Sequence, residues 1–161
     1  MIQKLLADRF QLTFHLEKRQ LAIYAITVAR GGPRLAPSIA TADDPERFRW
    51  QGRLGDLQVT NMTIPEFAVW FQKNVTERPV VDRSGLTGRY DFTLTWTPSE
   101  SEFPQFRRAG VIIPSPTAAD NPKAPPGLYT AFQEQLGLKL QSIQAPVDVM
   151  VIDHAEKPSP N

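Results

Sequence analysis

The chain reads as α+β, a mostly antiparallel sheet with helices packed on one face. Three observations predict it. Strict apolar–polar alternation marks several strands, other stretches carry helical spacing, and the two kinds follow one another in a recurring order.

The first stretch, "MIQKLLADRF", is an amphipathic helix with Ile2, Leu5 and Leu6 on one side. Asp8 and Arg9 cut its apolar run too short for a signal peptide. It begins without a capping residue, the start expected of a chain truncated from something longer. "FQLTFHLEKR" then alternates, with Phe10, Leu12, Phe14 and Leu16 on one face and Gln11, Thr13, His15 and Glu17 on the other. "LAIYAITVAR" follows after a short polar turn as its hairpin partner, and Gly31-Gly32-Pro33 ends it.

The second helix is the best marked. Thr63 with Glu66 forms a capping box, Pro65 fits the first turn, and Phe67, Trp70, Phe71 and Val75 supply the apolar face. After Pro79, Val80-Val81 begins a short strand, and "YDFTLTW" places Tyr90, Phe92, Leu94 and Trp96 on one face. Between them lies the polar, glycine-rich run "VVDRSGLTGRYDF". Gly85 and Gly88 make positive φ cheap there, Asp82 can accept backbone N–H bonds, and Arg89 and Asp91 fall on the outward face. A hairpin turn is the expectation, ahead of a catalytic loop.

The third helix runs from about Gly127 to Leu136 on Leu128, Phe132 and Leu136, with Gly137 as a left-handed cap. "LKLQSI" and "PVDVMVID" give two more strands joined at Gln144-Ala145-Pro146. Helix–strand–turn–strand thus recurs about three times, with helix starts near residues 2, 65 and 127. An extra hairpin, "RFRWQGR" to "LQVTNM", precedes the second unit. The expectation is a single α+β domain over residues 1–161, with loosely ordered segments at 33–46 and 98–126. Its core is expected to hold Leu5, Leu12, Phe14, Leu16, Ile23, Phe67, Trp70, Phe71, Phe92, Leu94, Leu128, Phe132, Leu136, Val149 and Val151.

Composition narrows the chemistry. Eighteen basic and seventeen acidic side chains nearly cancel, so no overall field points to nucleic acid. The absence of cysteine removes disulfides, thiolate nucleophiles and sulfur-ligated zinc. No apolar run approaches the roughly 20 residues of a membrane span. With only His15 and His154, a three-histidine zinc site is impossible, and G-x-S-x-G, H-E-x-x-H, P-loop and dinucleotide fingerprints are missing.

"LLADRFQLTFHLEKRQLAIYAITVARGGPRL", "RPVVDRSGLTGRYDFTLTW" and "AFQEQLGLKLQSIQAPVDVMVIDHAEKP" together resemble a large family of soil-bacterial proteins carrying a C-terminal domain of unknown function. Its members usually carry an export signal and a further segment before the helix that "LLADRF" matches, and some are fused behind membrane metallopeptidases of the antibiotic-sensor type. The resemblance therefore implies a periplasmic or extracellular sensing or binding role. The repeated units also look like the short interaction modules at the N-termini of secretins and TonB-dependent receptors. A further association links metagenome-derived proteins of this kind with hydrolysis of acyl-homoserine lactones. It rests on no motif and carries no catalytic residues over.

Two functions follow as expectations. One is a small hydrolase of lactones or esters, possible with calcium assistance. The other is a non-catalytic module binding a small molecule or a protein. For hydrolysis, His15 with Glu17 on one strand face offers a base and an orienting carboxylate. Asp82, Ser84 and His154 are the further catalytic candidates, although alternation sends Asp153 and His154 to opposite faces. Asp43, Asp44 and Glu46 form the acidic cluster that could hold calcium, without EF-hand spacing. Arg47, Phe48, Arg49, Trp50 and Arg53 alternate basic and aromatic residues on the extra hairpin, as an edge strand guarded by arginine does.

Overall fold

A computed structural model describes residues 11–41, 43–45, 47–113, 121 and 123–157. The expected first helix, with Leu5, lies outside them, as does Glu46. The described elements are β1 (Thr13–Val28), β2 (Ala36–Pro37), β3 (Arg47–Trp50), β4 (Asp56–Met62), α1 (Ile64–Asn74), β5 (Val80–Asp82), β6 (Tyr90–Thr95), α2 (Pro104–Arg108), α3 (Leu128–Leu136) and β7 (Leu138–His154).

They form a three-stranded sheet in the order β5-β1-β7 and a four-stranded sheet in the order β2-β6-β4-β3. The four-stranded sheet is antiparallel throughout. In the other, β1 pairs parallel with β5, Tyr24 opposite Val80. Side-chain bonds from His15 to Asp153 and from Thr27 to Gln141 show that β7 runs antiparallel to β1. Mixed helix and strand with antiparallel sheets is therefore as expected.

The expected turns of the first and third units are absent. β1 continues through "EKRQ" as one strand of 16 residues, and β7 continues through Pro146 as one of 17. The polar residues that suggested a turn in β1 are exposed strand positions. Proline is tolerated in β7 because that strand ends its sheet. The "VVDRSGLTGRYDF" run is not a hairpin either, because β5 and β6 belong to different sheets. It is a sheet-to-sheet connection.

The chain divides into two compact units, Met1–Ala22 with Gln144–Asn161, and Ile23–Ile143. In the first, Thr13–Gln20 is exposed along its whole length. Of the expected core residues there, Leu16 is 66% and Phe14 38% exposed, and Leu12, Val149 and Val151 are only half-buried. Alternation specifies which residues share a face but not whether that face is covered.

The second unit holds the main core. Ile26, Leu57, Val59, Phe67, Phe71, Phe92, Leu94, Phe132 and Leu136 are buried in one cluster. The helix α1 starts as its sequence demands. Thr63 Oγ1 accepts from Glu66 N and Glu66 Oε2 accepts from Thr63 N, with Pro65 in the first turn. Its buried face carries Phe67, Trp70 and Phe71, each worth ~1.5–3 kcal/mol on burial. Phe67 meets Phe92 edge-on at 5.1 Å, and Phe71 meets Phe132 at 5.4 Å, tying α1 to β6 and α3. Gly137 ends α3 at a φ of 64°.

A polar node interrupts β4. Asn61 is fully buried at a φ of 55°, beside the register shift between Val59 and Met62. Its N–H donates to Asp91 Oδ1, its Nδ2 to the carbonyls of Thr41 and Asp44, and its Oδ1 accepts from Arg89 Nε. Arg89 also reaches Glu66. Arg89 and Asp91 thus serve this half-buried network instead of an outward face.

Candidate ligand-binding cleft

The segment after β6 builds the wall of a cleft. Ser99 O accepts from Glu102 N at 3.1 Å, closing a turn that brings the Glu102 side chain back towards the strand. Trp96 Nε1 donates to Glu102 Oε2 at 2.6 Å, and Ser99 Oγ donates to Oε1 at 2.9 Å. With Glu102 ionised, Ser99 Oγ must donate to it, so Ser101 is the donor in the 3.0 Å contact between the two hydroxyls. Phe103 follows at a φ of 54°, fully buried and stacked on Trp96 at 6.0 Å, with its N–H on Val75 O. Within the segment 98–126 this stretch is therefore firmly anchored.

The opposite wall comes from β1, α3 and the turn after α1. Tyr129 on α3 donates its hydroxyl to the Tyr24 hydroxyl at 3.0 Å, the rings meeting edge to face at 6.1 Å. The Arg78 guanidinium lies 5.5 Å from the centre of the Tyr24 ring, and Nη1 donates to Ser142 Oγ. These groups border about 220 Å³, lined among others by Tyr24, Glu77, Arg78, Ser101, Glu102 and Tyr129.

Burial raises the Glu102 carboxyl above its usual range, opposed by the bonds from Trp96 and Ser99. Burial and the bond to Tyr24 push the Tyr129 phenol up to about 12, so it stays protonated at neutral pH. Among the described residues no carboxylate pairs with Arg78, whereas neighbouring Glu77 is paired with Arg107. The cleft therefore presents the Arg78 cation, the Glu77 carboxylate already matched by Arg107, a Tyr24 hydroxyl proton with no partner among the described residues, and several acceptor oxygens. It holds no histidine.

A second cavity, about 260 Å³, is bordered by Leu54, Trp96, Ile113 and Pro125, with Arg53 as its one charged side chain among the described residues. It offers packing with little directional chemistry. The polar cleft is the better candidate because its groups converge.

The residues singled out in the sequence lie elsewhere. His15 Nδ1 sits 2.9 Å from both Asp153 carboxylate oxygens, so Asp153, and not Glu17, is its partner. Glu17 bonds Arg19 at 2.9 Å, and that guanidinium holds its carboxyl below the usual range. His154 Nε2 meets Glu156 at 3.0 Å. Asp82 Oδ1 accepts from Ser84 N and Ser84 Oγ from Leu86 N, both inside the connection between the sheets. Asp44 spends its carboxylate on the N–H and hydroxyl of Thr41, bonds that hold its carboxyl low. Among the described residues no three metal-ligating side chains stand together. The structure brings His15 to Asp153 and Asp82 to the Ser84 N–H, and gives Glu17 and His154 the separate partners Arg19 and Glu156.

Glu102, Tyr129, Tyr24 and Arg78 escaped sequence reading. Glu102 sits in "PSESE", which reads as solvated acid, and only its turn to Trp96 buries it. Among the described residues no helix is long and apolar enough to cross a membrane. No curated protein and no solved structure matches the chain. Residues 1–155 match the family described as a protein of unknown function, DUF3738, and the chain belongs to that family.

Proposed function

We propose that the protein is a non-catalytic small-ligand-binding module acting outside the cytoplasm, with the Tyr24–Arg78–Glu102–Tyr129 cleft as its site. The observation that carries this reading is a guanidinium with no carboxylate partner among the described residues, beside two linked phenols and a buried carboxyl around one cavity. Convergent polar groups of this kind orient a small ligand. The location outside the cytoplasm rests on the family resemblance alone.

The test is a ligand screen by NMR, with acidic, basic, neutral-polar and apolar small molecules and the Tyr24 and Tyr129 ring signals as reporters. Saturable shifts of those signals support the reading. Shifts from no class, or shifts that persist unchanged in Tyr129→Phe and Arg78→Gln proteins, count against it.

One observation favours the second reading, hydrolysis of a lactone or ester. The His15–Asp153 pair has the geometry of a base held by a carboxylate. It is about half exposed on both sides, which weakens it as a catalytic environment. Assay on acyl-homoserine lactones, with calcium and with chelator, decides it. Turnover abolished by His15→Ala would establish it, and no turnover in either condition would remove it for that substrate class.

A further inference from the structure

We infer that the cleft selects a small polyhydroxylated carboxylate, a sugar acid, and this rests on the cleft being a ligand site at all. With Glu102 ionised, the hydroxyl protons around the cleft are largely committed within the protein. Tyr129 gives its proton to Tyr24, Ser101 gives its proton to Ser99, and Ser99 gives its proton to Glu102. Glu102 in turn accepts from Ser99 and Trp96. What the protein leaves over is a set of donors and a separate set of acceptors.

The donors are the Tyr24 hydroxyl proton and the guanidinium N–H groups of Arg78 that Ser142 does not use. They suit a carboxylate, which guanidinium groups bind through paired N–H···O bonds. The acceptors are the lone pairs of Tyr129 and Ser101, whose own protons are spent. They suit ligand hydroxyls that arrive as donors. A simple carboxylate would leave the acceptors unused, and a neutral sugar would leave the guanidinium charge unmatched. The cavity of about 220 Å³ is smaller than the usual drug-sized site, in keeping with a single sugar unit.

The probes are D-glucuronate, D-glucose and acetate, titrated into the full chain while the Tyr24 and Tyr129 ring signals are followed by NMR. Glucuronate is expected to shift both signals saturably, with glucose and acetate each about tenfold weaker or more, a factor worth ~1.4 kcal/mol. Arg78→Gln should bring glucuronate down to the level of glucose, while Arg78→Lys recovers part of the loss. Tyr129→Phe should weaken glucuronate and glucose by similar factors and leave acetate unchanged. Acetate binding as tightly as glucuronate overturns the inference. So does glucose binding as tightly, or an Arg78→Gln protein that binds glucuronate normally. Failure of all three probes also overturns it, while the broader screen decides separately whether the cleft binds ligands of another class.

Discussion

The Trp96 indole and the Glu102 carboxyl meet in a 2.6 Å hydrogen bond within the protein interior, where Trp96 is 1% and Glu102 7% exposed. The bond fixes one wall of the cleft to the end of β6. Because burial raises the Glu102 carboxyl, the folded state holds its proton to a higher pH than the unfolded chain does. Stability from this group is therefore greatest below its ordinary value of 4.5 and is lost as pH rises through the raised folded value. Glu102→Gln removes the charge and keeps the indole bond on its amide oxygen, while its NH2 must donate to Ser99 Oγ in place of the bond that Ser99 now gives. At neutral pH it should be more stable than the parent by on the order of 1 kcal/mol, with the gap closing in acid. Glu102→Leu strands the indole N–H and should cost ~1–3 kcal/mol at every pH. Urea unfolding across the acid-to-neutral range measures both.

Asn61 answers four hydrogen-bonding groups from a left-handed backbone position. Asn61→Leu should cost about 3 kcal/mol or more, combining stranded partners with a branched residue at positive φ. Asn61→Gly relieves the backbone and should lose less. A thermal melt in which the two variants lose the same stability would contradict this division.

In the connection from β5 to β6, Gly85 has a φ of 71°, and a Cβ on Gly88 would meet the Tyr90 phenol at 2.8 Å. Gly85→Val should cost about 1–2 kcal/mol through backbone strain. Gly88→Val should also destabilise, unless the Tyr90 ring swings aside. Ser84→Ala removes one half-buried bond and should cost under about 1 kcal/mol, with Asp82→Ala in between. Loss of an activity in Ser84→Ala at unchanged melting temperature would assign this connection a chemical role.

Leu16 and Ile152 are about two-thirds exposed in the first unit. Replacing either with Ser should change stability by less than about 0.5 kcal/mol. Phe71→Ala, by contrast, should cost ~3–5 kcal/mol because that ring is fully buried. Equal losses at Leu16 and Phe71 in denaturant melts would show that this part of β1 is covered in solution.

What the sequence disclosed was local. The Thr63–Glu66 box, the Gly137 cap and the hairpin of β3 with β4 each depend on residues close in the chain, and each stands as expected. The continuity of β1 and β7 was hidden, because exposed strand residues such as Glu17, Lys18 and Arg19 have turn-like composition. The partner of His15 was hidden for another reason, since Asp153 lies 138 positions away. The cleft was the least legible. It joins Tyr24, Arg78, Glu102 and Tyr129 from four separate elements, and none has a motif around it.

The outer strands of the two sheets bear on how copies of this chain behave towards one another. Among the described residues these are β2, β3, β5 and β7. β2 carries Pro37 and β7 carries Pro146, each removing a backbone donor that a visiting strand would need. β3 presents Arg47 and Arg49, and β5 is three residues long. Each edge thus has its own obstacle to templating another chain. Long strands such as β1 and β7 are thereby expected to resist nucleating fibrils, and Pro146→Val is the change that would remove the obstacle from the longest of them.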